Sequence, residues 1–221
     1  MLWVEEGSRV FSLAEELLLL ALHEEKGTVL WVAHNRLSYC LAGALLMELI
    51  LKNRLRLEPK VLEVVNRTPT GDPMLDGILR QINLADKTKS PQYWITKIGR
   101  RIKPIKNDLL KALVDKGILN SEEHRVMGIF PTVRYPSRDD RPKRELRSKL
   151  RSLILRGEQP DLRLTMLICL VYTCALTNTI FDKDERKDAR KKVKEIAKPL
   201  PITQAITKAI QGAQAAAAAG G

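Results

Sequence analysis

Leucine-rich stretches separated by short polar connections run along most of the chain, and their spacing is typical of helices. Ser12, followed by Glu15 and Glu16, predicts a capped helix start, and the apolar residues continue from Leu13 to Leu22. A second apolar helix is predicted from Leu37 to Leu51. Because both helices are apolar on nearly all sides, we expect them in the centre of the fold.

Hydrophobic periodicity predicts further helices and two short hairpins in the rest of the chain. The helices are expected over residues 74–82, 93–102, 105–116, 143–155, 164–181, 185–197 and 202–211. The hairpins are expected at residues 55–65 and 125–136, with a β-like connection at 28–32 and a loop at 83–92. Asp72 and Pro73 are expected to cap the helix that follows them. Three small residues at positions 42–44 allow another helix to approach closely.

The pattern predicts a mainly α fold with one or two small β-hairpins. No repeat and no long linker divides the chain, so residues 11–211 are expected to form one domain. Residues 1–10 form an N-terminal segment without a secretory signal, and residues 212–221 an alanine- and glycine-rich tail that we expect to be frayed. The uncharged run from Leu164 to Phe181 reaches the shortest length that spans a bilayer, but its polar residues favour a buried central helix.

The residue spacings of common active sites are missing from the sequence. There is no phosphate-binding glycine loop and no nucleophile elbow, and the three histidines lie too far apart for a zinc site. The three cysteines lie in apolar stretches without metal-binding spacing, which favours a reducing compartment. We therefore expect no enzymatic activity, no catalytic residue, no metal and no cofactor, and a cytoplasmic location.

Charge is the strongest functional signal in the composition. The chain has 38 basic and 26 acidic residues, a net charge of +12, which favours a negatively charged partner: nucleic acid, anionic lipid or an acidic protein. Residues 85–106 contain seven basic residues and one acidic residue, and residues 134–156 contain nine and three. We expect these two segments to form a binding surface. Residues 183–198 are more balanced and are interpreted as a solvated helix face.

Lys103 and Lys106 are spaced so that both ammonium groups project from one side of a helical turn. Two such donors form charge-assisted hydrogen bonds to a phosphorylated lipid headgroup. Trp31 and the hairpin residues Ile129 and Phe130 have side chains that suit the membrane interface, with core packing as the alternative. The residues therefore favour a phosphate-bearing anionic partner, for which an anionic lipid surface and nucleic acid both remain open.

Several segments, in order along the chain, resemble signatures of the Golgi phosphoprotein 3 family. They are residues 13–22, 41–49, 69–76 and 113–119 and the hairpin before Tyr135, and the Pro69-Thr70-Gly71-Asp72 turn is the most specific. The resemblance covers nearly the whole chain. It implies a core helical bundle ringed by amphipathic helices, with a protruding β-hairpin. It also implies a peripheral membrane adaptor without enzymatic activity that binds phosphatidylinositol 4-phosphate at Golgi membranes and retains glycosyltransferases there.

The family's headgroup pocket maps onto a mixed set of residues in this sequence. Two arginines spaced by three residues fall on Lys103 and Lys106, which keep the charge without the bidentate geometry. The loop tryptophan falls near Trp31, and Ala42 replaces a third arginine, which leaves headgroup selectivity open. The candidates to supply the missing charge are Arg36, Arg100 and Arg101. These departures indicate a prokaryotic relative.

The leading hypothesis is a cytoplasmic, peripherally membrane-associated adaptor. It docks on anionic phospholipid through residues 97–106 and inserts Met127, Ile129 and Phe130 of the hairpin. Membrane-protein clients, and a second copy of the chain joined through residues 125–135, are further candidate partners.

The alternative is a winged-helix-like nucleic-acid-binding protein, because a helix followed by a hairpin occurs at 37–65 and 105–135. These helices carry few side chains that read base edges, which argues against nucleic acid. An uncharacterised enzyme is a third hypothesis.

Overall fold

The structure is a computed structural model that describes residues 11–58, 60–126 and 129–219. Within these residues the chain forms ten α-helices, one 3-10 helix and four strands. The helices are α1 Leu13–Ala21, α2 Leu37–Leu51, α3 Pro73–Asn83, α4 Pro91–Gly99, α5 Ile102–Asp115, α6 Arg141–Arg156, α7 Leu162–Thr173, α8 Thr177–Ile180, α9 Arg186–Ala197 and α10 Pro201–Ala219. The 3-10 helix is Trp31–Ala33, and the strands are β1 Leu55–Leu57, β2 Leu62–Val64, β3 Glu122–Val126 and β4 Phe130–Arg134. The predicted mainly α fold with small hairpins is confirmed.

Helices α1 and α2 form the centre of the bundle. Nearly every residue of α1 is buried, and α2 packs against α1, α4, α5, α7 and α10. The amphipathic helices α3, α6 and α9 lie around this centre, each with a buried apolar side and an exposed polar side. The central position predicted for the two apolar helices is confirmed.

Two helix starts follow the predicted capping. At α1 the Ser12 hydroxyl accepts a hydrogen bond from the Glu15 backbone N–H at 3.3 Å, and the Glu15 carboxylate accepts one from the Ser12 backbone N–H at 2.8 Å. At α3 the Asp72 carboxylate accepts hydrogen bonds from the backbone N–H groups of Met74 and Leu75. The carboxylate of Asp72 therefore has a structural role, as predicted.

The small residues in the middle of α2 allow α10 to pack closely. A Cβ atom on Gly43 would lie 2.5 Å from Ile206 Cδ1, well inside van der Waals contact. Ala42 and Ala44 are fully buried beside it. The close approach predicted from the sequence is confirmed, and α10 is the helix that makes it.

The two hairpins are separate antiparallel sheets. In the first, β1 pairs with β2, and Leu55 lies opposite Val64. In the second, β3 pairs with β4, and Glu122 lies opposite Arg134. The prediction of a β-like connection at residues 28–32 is wrong for most of this segment. Val29 forms a single bridge with Leu22, and the chain then enters the 3-10 helix.

Three other predictions of helix bounds are corrected. The uncharged run 164–181 is not one helix, because Ala175 has a φ of 60°, in the left-handed region that ends α7 before α8 begins. The last helix does not end at Gln211 but continues to Ala219, which follows from the high helix propensity of its alanine run. Helix α4 begins at Pro91, inside the predicted loop, with Ser90 as its N-cap. No helix in the described ranges has both the length and the apolar character needed to cross a bilayer.

Candidate anion-binding cavity

A cavity of about 970 Å³ lies between α1, the loop after it, α5 and the second hairpin. Lys103 and Lys106 of α5 both line it, so the structure brings these two predicted site residues together. Its apolar wall is built from Leu18, Leu22, Val29, Leu37, Leu110, Val114 and Val133. Its polar lining includes Thr28, His34, Ser38, Ser121 and Thr132, together with Asp108 and Lys111 of α5.

The two lysines keep their charge free for a ligand. Lys103 is exposed and Lys106 is half-buried, and neither forms an ion pair with any residue that the structure describes. Helix α5 starts one residue before Lys103, so its first-turn N–H groups add positive potential at the same place. Two unpaired ammonium groups beside hydroxyl donors are chemically suited to a phosphate or another compact anion.

Trp31 lies in the 3-10 helix beside this cavity, with 88% of its surface exposed. Its ring stacks on the imidazole of His34, which lines the cavity, with 6.3 Å between the ring centroids. Val32 is also exposed, at 46%. Core packing, the alternative for Trp31, is therefore wrong. His34 was not among the predicted site residues, and only its position three residues after Trp31 could have indicated it.

The other predicted basic residues lie elsewhere. Arg36 donates a hydrogen bond to the backbone carbonyl of Thr173 at 3.3 Å, which directs its guanidinium toward the end of α7. Arg100 and Arg101 line a separate depression of about 550 Å³ with Tyr93 and Lys97 of α4. Ala42 is fully buried, and the third lysine that lines the cavity is Lys111 of α5.

The second hairpin borders the cavity with β4. Val133 is exposed and Ile129 near the tip is exposed at 74%. Met127 lies outside the described residues, and of Phe130 only the backbone, at the start of β4, is described. An exposed Ile129 is compatible with membrane insertion and leaves the role of the hairpin tip as a prediction.

The loop that carries Trp31 is held by α6. Lys143 is buried, and its Nζ atom donates to the Leu22 carbonyl at 2.6 Å and lies 3.2 Å from Glu24 Oε1. Burial lowers the pKa of Lys143, and the neighbouring Glu24 carboxylate partly counteracts this. This contact fixes the end of α1 against α6.

The hairpin base holds the same loop from its other side. The Tyr135 backbone N–H donates to the Gly27 carbonyl at 3.0 Å. Gly27 has a φ of 60°, and a Cβ atom there would lie 2.2 Å from Pro136 N. Only glycine permits this close approach, so Gly27 fixes the position of the hairpin relative to the cavity.

Ion pairs neutralise most of the second predicted basic segment. Six of the nine basic residues in 134–156 pair with acidic residues: Arg141 with Asp139, Lys143 and Arg147 with Glu24, Arg144 with Asp140, Arg151 with Asp182 and Glu185, and Arg156 with Glu158. The first segment makes no ion pair within the described chain, and Lys97 lies over the ring of Trp94 instead. Of the two basic segments predicted to form a binding surface, residues 85–106 remain as the candidate.

Metal-ligating side chains do not gather in the described part of the chain, where no group of three or more His, Cys, Asp or Glu residues has a suitable arrangement. The three cysteines, Cys40, Cys169 and Cys174, are buried free thiols. Within the described residues, neither the metal-ligating side chains nor the cysteines therefore form a second candidate site.

Comparison with known proteins gives the family. The model of the Golgi phosphoprotein 3 (GPP34) family matches residues 13–213. Two curated relatives, both named vacuolar protein sorting-associated protein 74, align over 164 positions, and these alignments cover 65% of this chain. The relative from Schizosaccharomyces pombe is 29% identical, with 48% of its length covered, and that from Eremothecium gossypii is 27% identical, with 49% covered. The chain thus spans about half the length of these relatives. Because the family match runs from the first residue of α1 into α10, the chain belongs to the Golgi phosphoprotein 3 family.

Proposed function

We propose that this chain is a peripheral membrane protein without enzymatic activity that binds anionic phospholipid headgroups in the cavity of Lys103 and Lys106. The observation that carries the proposal is the combination of two unpaired lysines inside a cavity and an exposed Trp31 at its edge. The lysines supply charge for a phosphate group, and the tryptophan supplies an amphipathic ring for the bilayer interface beside it. Phosphatidylinositol 4-phosphate-like headgroups are the proposed ligand class.

Family membership supports an adaptor role at a membrane. The family is described as Golgi phosphoprotein 3, and the two curated relatives carry names that refer to vacuolar protein sorting. We extend these words to this chain as a proposed association with Golgi-type or sorting membranes and with membrane-protein clients. Ile129 of the hairpin is proposed to enter the bilayer interface next to Trp31, or to contact a second copy of the chain.

A winged-helix arrangement at residues 37–65 fits the structure less well. Helix α2, which precedes the first hairpin, is covered by α1, α4, α7 and α10, and its residues are mostly buried. A helix that enters a DNA groove has to present one side to solvent. For the cavity, which α5 lines, the exposed Trp31 and Val32 beside it favour a membrane as the partner.

Vesicle flotation tests the proposal. We expect the wild-type chain to float with phosphatidylcholine vesicles that contain phosphatidylinositol 4-phosphate, and to remain unbound with phosphatidylcholine alone. Each cation near an anionic bilayer contributes about 1 kcal/mol, so Lys103→Glu/Lys106→Glu is expected to weaken binding by at least about 30-fold. Lys191→Glu/Lys194→Glu, with the same change of net charge on exposed positions of α9, is the matched control.

The proposal fails if anionic vesicles do not recruit the wild type at low salt, or if the cavity variant floats as well as the wild type. Equal binding to vesicles with phosphatidylserine in place of the phosphoinositide would retain the anionic membrane and remove the phosphoinositide preference.

A further inference from the structure

Helix α9 carries a second cationic surface, distinct from the cavity. Its exposed basic residues are Lys187, Arg190, Lys191, Lys194 and Lys198. They follow the three- and four-residue spacing of one helix side, whereas Ala189, Val193 and Ala197 are buried on the other side. At 1.5 Å per residue the row is about 16 Å long.

The ammonium groups of this row are not neutralised by the protein. Lys187, Lys191, Lys194 and Lys198 form no ion pair with any described residue, and Arg190 donates through Nε to the neutral Asn178 side chain at 2.7 Å. Helix α6 is the contrast, because its cations are mostly paired. A row of uncompensated like charges costs stability, which a negatively charged partner would offset.

The excess of basic over acidic residues lies in α9 and in the segment that contains α4 and the start of α5. Residues 87–106 contain seven basic and no acidic residues, and residues 186–198 contain seven basic and two acidic residues. Together these two segments carry a net charge equal to the +12 of the whole chain, so the other residues sum to zero. Helix α5 packs on α1 and α2, whereas α9 packs on α6, α7 and α8. The two surfaces are therefore carried by different parts of the bundle.

The shape and composition of the α9 surface identify the kind of partner. Arg190, Lys191, Lys194 and Lys198, with Glu195 and Pro199, line a depression of about 720 Å³. No large exposed hydrophobic residue lies in the segment 186–198, all of which the structure describes, so this surface lacks the anchors that the cavity has in Trp31 and Val32. It also contains no aromatic side chain on which a nucleic-acid base could stack. A concave row of lysines suits a flexible chain that carries carboxylates.

We propose that α9 binds an acidic peptide segment of a partner protein, at a site that works independently of the cavity. The row of cations forms charge-assisted contacts with aspartate and glutamate side chains, and the depression accommodates the peptide backbone. This inference goes beyond lipid binding and does not depend on it. It gives the chain two separate anionic partners.

Fluorescence anisotropy with a short fluorescein-labelled peptide of alternating glutamate and serine tests the proposal on the whole chain. We expect Lys191→Glu/Lys194→Glu to weaken peptide binding about tenfold, whereas Lys103→Glu/Lys106→Glu, which changes the net charge by the same amount, leaves it within about twofold of the wild type. All four side chains are partly or fully exposed, and a far-ultraviolet circular dichroism melt checks that both variants remain folded.

Three results would overturn the inference. Equal losses in the two variants would mean that the peptide responds only to net charge. A single-stranded oligonucleotide of equal charge that binds more tightly than the peptide, and is lost with the α9 variant, would identify a nucleic-acid surface. Loss of vesicle flotation in the α9 variant would identify a membrane surface. By contrast, unchanged flotation of the cavity variant would contradict the proposed lipid site and leave the α9 result standing.

Discussion

Two mostly buried ionisable side chains, Lys143 and Glu16, lie near opposite ends of α1, and burial disfavours the charged form of each. The Nζ atom of Lys143 contacts the Leu22 carbonyl and the Glu24 carboxylate just after the end of α1. Glu16, near the start of α1, lies 2.8 Å from Arg163 Nη2. Burial nonetheless raises the pKa of Glu16, and the Arg163 charge only partly reverses this. The ionised form of Glu16 is therefore less favourable in the folded chain than in the unfolded chain.

The first residue-scale prediction concerns the pH dependence of Glu16→Gln. With a raised pKa, the folded state holds a proton that the unfolded chain releases once the pH exceeds the ordinary value of 4.5. The contribution of Glu16 to the free energy of unfolding therefore falls as the pH rises through this window. We expect Glu16→Gln to match the wild type at about pH 4, where both side chains are neutral, and to be the more stable protein at about pH 7.

Urea unfolding at the two pH values measures this difference. Glu15→Gln is the neighbouring control, because Glu15 caps α1 and pairs with Lys116 at 2.5 Å. The amide oxygen introduced by Glu15→Gln can still accept the Ser12 N–H, so we expect this control to lose only the ion pair with Lys116, at most about 1 kcal/mol at pH 7. A difference between Glu16→Gln and the wild type that is the same at both pH values would contradict the argument.

The second residue-scale prediction concerns the thiols. Cys40, Cys169 and Cys174 are fully buried, and burial raises the pKa of Cys169 to about 11. A hydrogen bond with Cys40, together with burial, raises the pKa of Cys174 as well. Because the thiolate is the reactive form, we expect no reaction with maleimide in the native protein near neutral pH and three modified cysteines after unfolding. Mass spectrometry counts the modifications, and rapid labelling of the native protein would be the contrary result.

At the scale of elements, the contact of α2 with α10 gives a sharp prediction. Gly43→Ala would place a Cβ atom 2.5 Å from Ile206 Cδ1, and we expect this overpacking to cost about 1–3 kcal/mol. In an Ile206→Ala background the clash is gone, so the same change is expected to be neutral or stabilising through helix propensity. Urea unfolding of the four proteins of this cycle measures the coupling.

Gly77 in α3 provides the control, since a Cβ atom there meets nothing within 4 Å. Gly77→Ala is expected to gain about 0.5–1 kcal/mol from propensity alone. Additive effects of Gly43→Ala and Ile206→Ala would show that the two helices do not meet as closely as described.

The elements that the sequence predicts correctly are those with local causes. The caps at Ser12 and Asp72, the apolar centre of α1 and α2, and the small residues of α2 are all visible within a few positions of the sequence. The break at Ala175 has no such local signal, because a left-handed alanine is held by its surroundings.

The prediction of the basic surface fails where residues far apart in the sequence form ion pairs. Glu24 pairs with Lys143 and Arg147 of α6 although more than a hundred residues separate them, and no local pattern indicates this pairing. Asp182 and Glu185 are bound by Arg151, so they do not offset the charge of the helix that they precede. For that reason the surface of α9 carries more unpaired positive charge than the count of charged residues in 183–198 suggests. That Lys103 and Lys106 share one side of α5 could be predicted, because residues three apart in a helix lie on the same side.

At the scale of the whole molecule, the excess of positive charge lies in two segments, residues 87–106 and 186–198, and the rest of the chain sums to zero. In solution the net charge of +12 keeps copies of the chain apart. If anionic lipid neutralises residues 87–106 and an acidic segment neutralises α9, the rest of the chain carries no net charge. Copies that carry both partners would then cease to repel one another, and their density on a membrane would be limited by their size alone. Occupying both sites would thus permit crowding on the bilayer that the free protein resists.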